Sequence, residues 1–292
     1  MTFRSGFVAI VGRPNVGKST LLNRLVGSKV AIVSPKPQTT RRRILGVTTL
    51  PHAQLLFYDT AGWHRPRALI NKRMVLDTEK VIQDADVILW VVDSLAGVRL
   101  EDRALCDHLC IAKRPVCVVL NKIDRRAHVK LLPQLAELGE MLPDAEIVPV
   151  SALDGANIDE LLEVIVKLLP EGPRYYDEDT ITDQTERMLI EEVVREQVLL
   201  QTKEEIPYAV GVVVEKFEER EDLSVISAAI QVERKSQKGI LIGAGGARIK
   251  EIGRAARLEA ERILGRRVYL ELFVRVDEDW TTNPRRLAEM GL

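Results

Sequence analysis

The stretch FVAIVGRPNVGKS, residues 7–19, decides the fold of the first half of the chain. A short apolar run ends at Gly12, a glycine-rich loop follows, and TLLNRLVG, residues 20–27, has helical spacing. The loop matches the pattern GxxxxGK[ST], which carries meaning when a strand precedes it and a helix follows it. Backbone N–H groups turned inward around the glycines, with the positive end of the helix, form a nest for phosphate groups. We therefore predict a phosphate-binding loop.

This loop assigns roles to individual residues. Lys18 is expected to reach the β- and γ-phosphates of a nucleotide, and the Ser19 hydroxyl is expected to bind Mg²⁺. The residues expected to contact the nucleotide here are Gly12, Arg13, Pro14, Asn15, Val16, Gly17, Lys18, Ser19 and Thr20. The loop does not select the base, because such loops serve adenine and guanine nucleotides alike.

Short apolar strands alternate with amphipathic helical segments from Phe7 to Leu169. The strand-like runs are FVAIVG, AQLLFYD, DVILWVVD, PVCVVLN and AEIVPVS. Alternation at this spacing predicts a mostly parallel sheet wrapped by helices. Nearly continuous apolar strands, such as residues 116–120, fit a parallel sheet buried on both faces. The predicted fold class of this half is α/β.

Asn121-Lys122-Ile123-Asp124 follows a buried strand, at the edge where open α/β sheets bind ligands. A carboxylate here can accept hydrogen bonds from N1–H and the exocyclic amino group of guanine, and adenine offers no such pair. NKID resembles the NKxD signature of guanine-nucleotide-binding proteins, in which Asn121 and Asp124 would contact the base and Lys122 would pack along the nucleotide. SAL after AEIVPV resembles the element that contacts the guanine oxygen. Its residues are Ser151, Ala152 and Leu153.

DTAG, residues 59–62, closes the strand AQLLFYD and resembles the DxxG switch element. Asp59 would hold Mg²⁺ through water, and the Gly62 amide would touch the γ-phosphate only while that phosphate exists. Upstream, PQTTRRRILG contains Thr39 and Thr40, either of which could coordinate Mg²⁺ in the GTP state, and Thr40 is favoured. The nucleotide contacts in the switch element are Asp59, Thr60, Ala61 and Gly62.

Position 63 differs from Ras-like proteins, where a glutamine after DxxG orients the attacking water. Trp63 stands there, and an indole cannot accept a hydrogen bond from water. We therefore expect slow intrinsic hydrolysis. Proteins with a hydrophobic residue here and an asparagine in the loop, as Asn15 is, resemble a group in which that asparagine helps to hold K⁺ against the phosphates. The expected catalytic residues are Lys18, Thr40, Asp59, Gly62 and Asn15, with Ser19 and Thr40 as the metal ligands.

Length and composition set limits on the remaining interpretation. At 292 residues, 46% hydrophobic and 29% charged, the chain is expected to form two globular cores and not to be disordered. The longest apolar runs, such as VILWVV at residues 87–92, are far shorter than the roughly 20 residues of a membrane-spanning helix. The N-terminus has no apolar signal segment, so the cytoplasm is the expected location. The three cysteines, Cys106, Cys110 and Cys117, are expected to be buried and reduced.

Periodicity breaks at PEGPRYYDEDT after Leu169, which predicts a linker at residues 171–180 between a first domain, 1–170, and a second, 181–292. The second domain is expected to be α+β. A helix over about 184–201 precedes a hairpin, PYAVGVVVEKF and LSVISAAIQVER, and then a glycine-broken helix pair leads to the strand RRVYLELFVRV. Charge also changes along this part: residues 171–230 hold 6 basic and 16 acidic side chains, and residues 231–270 hold 10 basic and 4 acidic.

IGAGGARI, residues 242–249, is the second glycine-rich loop and lies in the basic block. It lacks GK[ST] and joins helix to helix, so a second nucleotide site is excluded. A plain glycine hinge between packed helices is one interpretation. The pattern also resembles the KH domain, whose GxxG loop approaches a single-stranded RNA backbone closely. The residues expected to meet RNA are Lys235, Lys238, Ile242, Gly243, Ala244, Gly245, Gly246, Arg248, Ile249 and Lys250, with Ile240 nearby.

GRPNVGKSTLLN, QTTRRRI, DTAG, NKID and SAL in this order, followed by a linker and a KH-like domain, resemble the Era family of GTPases over nearly the whole chain. Two departures are DTAG, where the family usually has DTPG, and the absence of a basic residue inside GxxG. The resemblance implies GTP and GDP as ligands, and the 3′ end of small-subunit ribosomal RNA and the small ribosomal subunit as partners. It also implies peripheral contact with the inner face of the cell membrane. We expect a monomer.

The resulting hypothesis is a GTPase switch that assists maturation of the small ribosomal subunit. GTP-ordered loops, about residues 34–46 and 59–75, would alter the second domain and raise its affinity for RNA. The alternative is a GTPase whose second domain docks a protein or membrane surface and never uses its GxxG loop. A metabolic phosphotransferase is a third class, which NKID opposes.

Overall fold

The computed structural model describes residues 2–37, 39–63, 69–125, 128–203, 206, 209–278, 280–283 and 286–287. These residues form two compact units. The first contains the described residues within 1–31, 40–67 and 71–183, and the second contains those within 32–39, 68–70 and 184–292. No helix of the described part is long and apolar enough to cross a membrane.

The first unit is built on a six-stranded sheet in the order β2-β3-β1-β4-β5-β6. Its strands are β1 (Arg4–Val11), β2 (Ile44–Leu50), β3 (Ala53–Asp59), β4 (Val87–Asp93), β5 (Val116–Asn121) and β6 (Glu146–Val150). Strand β2 is antiparallel to β3, and the other neighbours are parallel. The prediction of a mostly parallel sheet is confirmed. Strand β2 was not predicted, because its run ILGVTTL directly follows the arginine-rich TTRRR and begins inside the expected switch segment.

Five helices cover the two faces of this sheet. They are α1 (Lys18–Val26), α2 (Leu69–Asp84), α3 (Leu100–Ala112), α4 (Leu132–Met141) and α5 (Ile158–Leu168). Alternate strand residues pack to opposite sides, as the two-residue period of a strand requires. Val8 and Ile10 join the core under α1 and α5, whereas Ala9 and Val11 join the core under α2, α3 and α4.

The segment 171–183 belongs to the first unit and packs on its strands β2 and β3. Gln54 is buried and its side-chain oxygen accepts hydrogen bonds from the N–H groups of Tyr175 and Tyr176 at 2.7 and 3.0 Å. The Thr182 hydroxyl donates to the carbonyl of Leu45 at 2.7 Å. The chain passes to the second unit between residues 183 and 184, so residues 171–180, expected as a linker, are held along β2 and β3.

The second unit places helices on one face of a three-stranded sheet in the order β7-β8-β9. Its elements are α6 (Glu186–Gln201), β7 (Gly211–Arg220), β8 (Leu223–Val232), α7 (Lys235–Ile242), a short 3₁₀ turn (Ala244–Gly246), α8 (Ala247–Leu264) and β9 (Arg267–Val276). Strands β7 and β8 form the predicted hairpin, and β9 runs parallel to β8. Ile190, Val194, Ile252 and Ala256 on α6 and α8 pack into the core above the sheet.

All three cysteines are free thiols. Cys106 and Cys117 are buried, and burial raises their pKa values to about 11 and about 12. The expectation that all three are buried was wrong for Cys110, which is exposed on α3.

Candidate nucleotide site and candidate RNA-binding loop

The loop between β1 and α1 approaches its neighbours so closely that its two glycines cannot be replaced. A Cβ at Gly12 would lie 2.4 Å from the carbonyl oxygen of Val91, and one at Gly17 would lie 2.3 Å from Nδ2 of Asn121. Both glycines also have positive φ, 150° and 102°, where side chains are strained. The loop is therefore pressed against the ends of β4 and β5, with the N-terminus of α1 behind it.

Lys18 is buried, and its ammonium group lies inside the curve of the loop. The Nζ atom donates to the carbonyl oxygens of Gly12 at 3.2 Å and Arg13 at 3.0 Å. Burial lowers the pKa of Lys18 to about 8, and the charge of Asp59 partly opposes this shift. A phosphate anion beside Nζ would favour the charged form and raise this pKa again.

Three oxygen-bearing side chains meet beside the loop. The Ser19 hydroxyl donates to Oδ2 of Asp59 at 2.6 Å, the Thr40 hydroxyl donates to the same oxygen at 3.0 Å, and the two hydroxyls are 2.9 Å apart. Burial raises the pKa of Asp59, and its Oδ1 is buried without a hydrogen-bond partner among the described residues. Hydroxyl and carboxylate oxygens are the donors that Mg²⁺ prefers, so this set fits the ion.

Thr39 and Thr40 have different surroundings. The Thr40 hydroxyl belongs to the oxygen cluster with Ser19 and Asp59, whereas the Thr39 hydroxyl donates to the carbonyl of Lys36 at 2.7 Å. Of these two residues, Thr40 is the one whose hydroxyl lies beside Ser19 and Asp59.

The DTAG segment packs on the phosphate-binding loop. A Cβ at Gly62 would lie 2.6 Å from the backbone nitrogen of Pro14, and the N–H of Trp63 donates to the carbonyl of Gly12 at 2.9 Å. The Trp63 ring is buried and meets the His108 ring edge-on, with centroids 4.8 Å apart. Its indole is therefore part of the core under α3, and its backbone N–H contacts the loop. Of the other DTAG residues, buried Thr60 donates to the carbonyl of Ile10, and Ala61 is also buried.

At the other end of the site, the Asn121 side chain bridges two loops. Its Nδ2 donates to the carbonyl of Val16 at 2.9 Å, and its Oδ1 accepts the N–H of Ala152 at 3.0 Å. The Ser151 hydroxyl donates to Oδ1 of Asp124 at 2.8 Å. Asn121 thus joins the phosphate-binding loop to the segment after β6, and the Asp124 carboxylate lies beside that segment through Ser151.

Two flanking residues complete this end. Leu153 is exposed, and its backbone carbonyl accepts a hydrogen bond from the Arg24 guanidinium. Arg24 on α1 also donates to the carbonyl of Ala152 at 3.2 Å. Arg24 was not predicted, because its role depends on a contact between α1 and a loop 128 residues later. Thr20 lies one residue beyond Ser19 in α1 and is half-buried.

Lys122 spans the gap between the base-binding segment and the phosphate-binding loop. Its Nζ donates to the carbonyl of Asn15 at 2.6 Å and to Oδ2 of Asp93 at 2.7 Å. Asn15 and Lys122 both have positive φ, 64° and 68°. Asp93 was missed in the sequence, although an aspartate that ends a buried strand beside the NKID strand is a usable signal.

The second glycine loop has a different character. Gly243, Gly245 and Gly246 all have positive φ, 72°, 57° and 78°. A Cβ at Gly243 would lie 2.9 Å from Cβ of Arg248, whereas a Cβ at Gly245 or Gly246 would have no atom of the described residues within 4 Å, its chain neighbours aside. The loop is therefore tight at its first glycine and open to an incoming partner at its last two.

The side chains around this loop divide into exposed and structural groups. Lys235 and Lys250 are exposed, Lys238 is half-buried, and Ile240 is 40% exposed. Arg248 donates from Nη1 to the carbonyl of Ile240 at 2.8 Å, so its guanidinium braces the end of α7. Ala244 is exposed within the loop, and Ile242 and Ile249 pack against the core of the unit.

Comparison with known proteins identifies relatives of both units. A family model described as "50S ribosome-binding GTPase" matches residues 7–122, and a KH domain model matches residues 205–281. GTPase Era of Geotalea daltonii is 48% identical over 290 residues, covering 99% of this chain and 98% of that protein. These matches confirm the predicted combination of a GTPase domain and a KH domain.

Two solved structures match over 99% of both chains, each at 44% identity with a TM-score of 0.96. One is Era in complex with MgGDPNP and nucleotides 1506–1542 of 16S ribosomal RNA. The other is an Era variant of Aquifex aeolicus bound to GDP and aluminium fluoride.

Nucleotide affinity is expected to depend on pH through Lys18. The pKa of this residue is about 8 before binding, and phosphate raises it, so affinity is at its full value below pH 8. Above that value, binding must recover a proton, and GDP affinity should fall by about tenfold per pH unit until the pKa of the complex is reached. Titrations of GDP at pH 7, 8 and 9 measure this slope. Lys18→Met should bind weakly with a nearly flat profile; a slope equal to that of the native protein would contradict the assignment.

Asp124→Asn is expected to reverse base preference. The variant loses the carboxylate that accepts from two guanine N–H groups, so GDP binding should weaken by about 3 kcal/mol, about a hundredfold. Its amide can donate to the extra carbonyl of xanthine, so xanthosine diphosphate should bind better than GDP. Competition titrations measure both. The exposed Asp154→Asn is the matched control and should keep guanine preference. Unchanged GDP affinity in Asp124→Asn would exclude this role.

Proposed function

The chain belongs to the Era family of GTPases, and from this premise we propose that it is a GTP-hydrolysing switch acting in small ribosomal subunit maturation. In this proposal its KH domain binds the 3′ end of small-subunit ribosomal RNA. The observation that carries the proposal is the likeness over the whole chain to an Era complex that holds MgGDPNP and 16S ribosomal RNA together. This chain has one glycine loop suited to each of those ligands.

Nucleotide binding uses groups that already converge on one edge of the sheet. Backbone N–H groups of the loop and the N-terminus of α1 would surround the phosphates, with the Lys18 ammonium on the β- and γ-phosphates. Bound Mg²⁺ neutralises phosphate charge and orients the γ-phosphate. Ser19 and Thr40 are the proposed ligands, and Asp59 would orient its water. Asp124 would accept the two N–H groups of guanine.

Hydrolysis requires stabilisation of charge that develops around the γ-phosphate. Lys18 and the Gly62 amide are the groups of this chain that would meet that charge. The Trp63 side chain is turned into the core against His108, so it cannot orient water as a glutamine would. The proposed rate is therefore slow. A monovalent cation at Asn15, which lies at the surface of the loop, would supply part of the missing positive charge.

RNA binding would use the open side of the GxxG loop. Gly245 and Gly246 leave room for a sugar–phosphate backbone, because in the described part of the chain no atom fills the space beside them. Lys235, Lys238 and Lys250 would add salt-dependent attraction to phosphates. The half-exposed Ile240 side chain offers an apolar surface to a base, and Arg248 would maintain the loop by holding the carbonyl of Ile240.

The two ligands are proposed to be coupled. GTP would order the segments near Thr40 and Gly62, and the GTP state would bind RNA more tightly than the GDP state. Thermodynamic reciprocity then requires RNA to favour GTP over GDP by the same factor. We further propose that the protein acts in the cytoplasm as a monomer, with peripheral contact at the inner face of the cell membrane, as family membership implies.

Potassium is expected to accelerate hydrolysis. If the Asn15 side chain helps to hold K⁺ at the phosphates, turnover in KCl should exceed turnover in NaCl of equal ionic strength by about tenfold. Asn15→Gly tolerates the positive φ at this position and should lose the difference while still binding GDP. Phosphate-release assays measure both proteins. Equal turnover in the two salts would remove the cation from the mechanism.

The main test is binding of single-stranded RNA from the small-subunit ribosomal 3′ end to the full-length protein at fixed salt. Affinity should be higher with GDPNP than with GDP. Gly245→Asp introduces a side chain and a negative charge where the RNA backbone would lie, and should weaken binding by about tenfold or more. Gly265→Asp is the matched control, because Gly265 has a similar φ of 66° and equally open space at the end of α8.

The outcomes separate the proposed functions. Loss of RNA affinity in Gly245→Asp alone supports the KH assignment. Equal affinity with both nucleotides would remove the switch but leave the RNA-binding domain. No RNA binding in either nucleotide state would favour the alternative, in which the second domain docks a protein or membrane surface.

A further inference from the structure

Helix α3 is tied to the phosphate-binding loop by a buried ion pair. The Arg13 side chain donates from Nε to Oδ2 of Asp102 at 2.6 Å and from Nη2 to the carbonyl of Gly97 at 3.2 Å. Asp102 is fully buried and Arg13 is only 16% exposed. The Arg13 guanidinium is therefore directed to α3 and to the segment before it.

The backbone of the same loop segment holds two functional groups. The carbonyls of Gly12 and Arg13 both accept from Nζ of Lys18, and the Gly12 carbonyl also accepts the N–H of Trp63. Pro14 is the surface on which Gly62 packs. The position of residues 12–14 thus determines where the Lys18 ammonium and the Gly62 amide lie.

A second contact joins α3 to the switch element. His108 lies on α3 and meets the Trp63 ring edge-on at 4.8 Å between centroids. Trp63 directly follows Gly62, the residue whose amide would sense the γ-phosphate. One rigid helix therefore contacts the phosphate-binding loop through Asp102 and the switch element through His108.

Burying the charges of this ion pair carries a desolvation penalty. Burial raises the pKa of Asp102, and the N–H of Arg99 and the charge of Arg13 oppose that shift. The second carboxylate oxygen, Oδ1, has no hydrogen-bond partner among the described residues. The Asp102 carboxylate also accepts the N–H of Arg99 at the start of α3, so this one side chain fixes both the first turn of the helix and the Arg13 guanidinium.

We propose that Asp102 is a positioning residue for GTP hydrolysis, acting through Arg13 to hold residues 12–14 where Lys18 and Gly62 can meet the γ-phosphate. This inference rests on the proposed GTPase function. Loss of the Asp102 carboxylate should therefore change GDP affinity less than it changes the rate of GTP hydrolysis. The reason is that GDP lacks the phosphate that the Gly62 amide would contact. The N-terminus of α1 would still bind the other phosphates.

The decisive experiment measures kcat for GTP and the dissociation constant for GDP in the full-length protein and in Asp102→Asn. We expect kcat to fall by about tenfold or more, as small displacements of catalytic groups do. GDP affinity should change by less than about threefold, well under 1 kcal/mol. The exposed Asp107→Asn on the same helix is the control and should leave both values unchanged. Equal losses in kcat and GDP affinity, or no loss of kcat, would overturn the proposal.

If Asp102→Asn does not fold, two variants of Arg13 test the proposed role of Asp102. Arg13→Lys keeps a charge for Asp102, whereas Arg13→Gln removes it, so Arg13→Lys should retain more of the native kcat. The same kcat in both variants, with GDP still bound, would overturn the proposal. Absence of GTP hydrolysis in the native protein would instead refute the proposed GTPase function, which separates that failure from failure of the role of Asp102.

Discussion

Parallel pairing of the central strands is the constraint on which the nucleotide site depends. In this register Ile10 pairs with Asp59, Val11 with Trp90, and Asp93 with Asn121. Parallel strands end at the same edge of a sheet, so residues separated by more than a hundred positions in the chain become neighbours. The phosphate-binding loop, the switch aspartate and the base-binding segment therefore need no long connections to meet. Each is simply the first stretch of chain beyond a buried strand.

Polar side chains then join these strand ends to one another. Asn121 links the phosphate-binding loop to Ala152, and Lys122 links that loop to Asp93. Within a buried setting such bonds are costly to leave unmade, because each unpaired group would lose its hydration without compensation. The loops consequently hold their shape through side chains of the protein itself. This order lowers the cost of arranging the site when a nucleotide binds.

The features that could be predicted from the sequence are those that depend on residues close together in the chain. A few neighbouring residues are enough to recognise the apolar strand runs, the two glycine motifs and NKID. The structure has strands and loops at those positions. Strand β2 was missed because its run ILGVTTL directly follows the arginine-rich TTRRR and begins inside the expected switch segment. The role of Asp102 was missed for a different reason. In the sequence it is one of several acidic residues on an amphipathic helix, and its contact with Arg13 forms only in the tertiary fold.

The two glycine loops show that the same residue type can meet opposite needs. At Gly12, Gly17 and Gly62, a side chain would collide with protein atoms less than 3 Å away, so glycine permits the protein to close on itself. At Gly245 and Gly246 none of the residues that the structure describes places an atom within 4 Å of an added Cβ, chain neighbours aside, and the positive φ angles favour glycine. The first loop is therefore shaped from within, by contacts the protein already makes. The second presents bare backbone outward, which is the arrangement that lets another chain, such as a single-stranded RNA, approach closely.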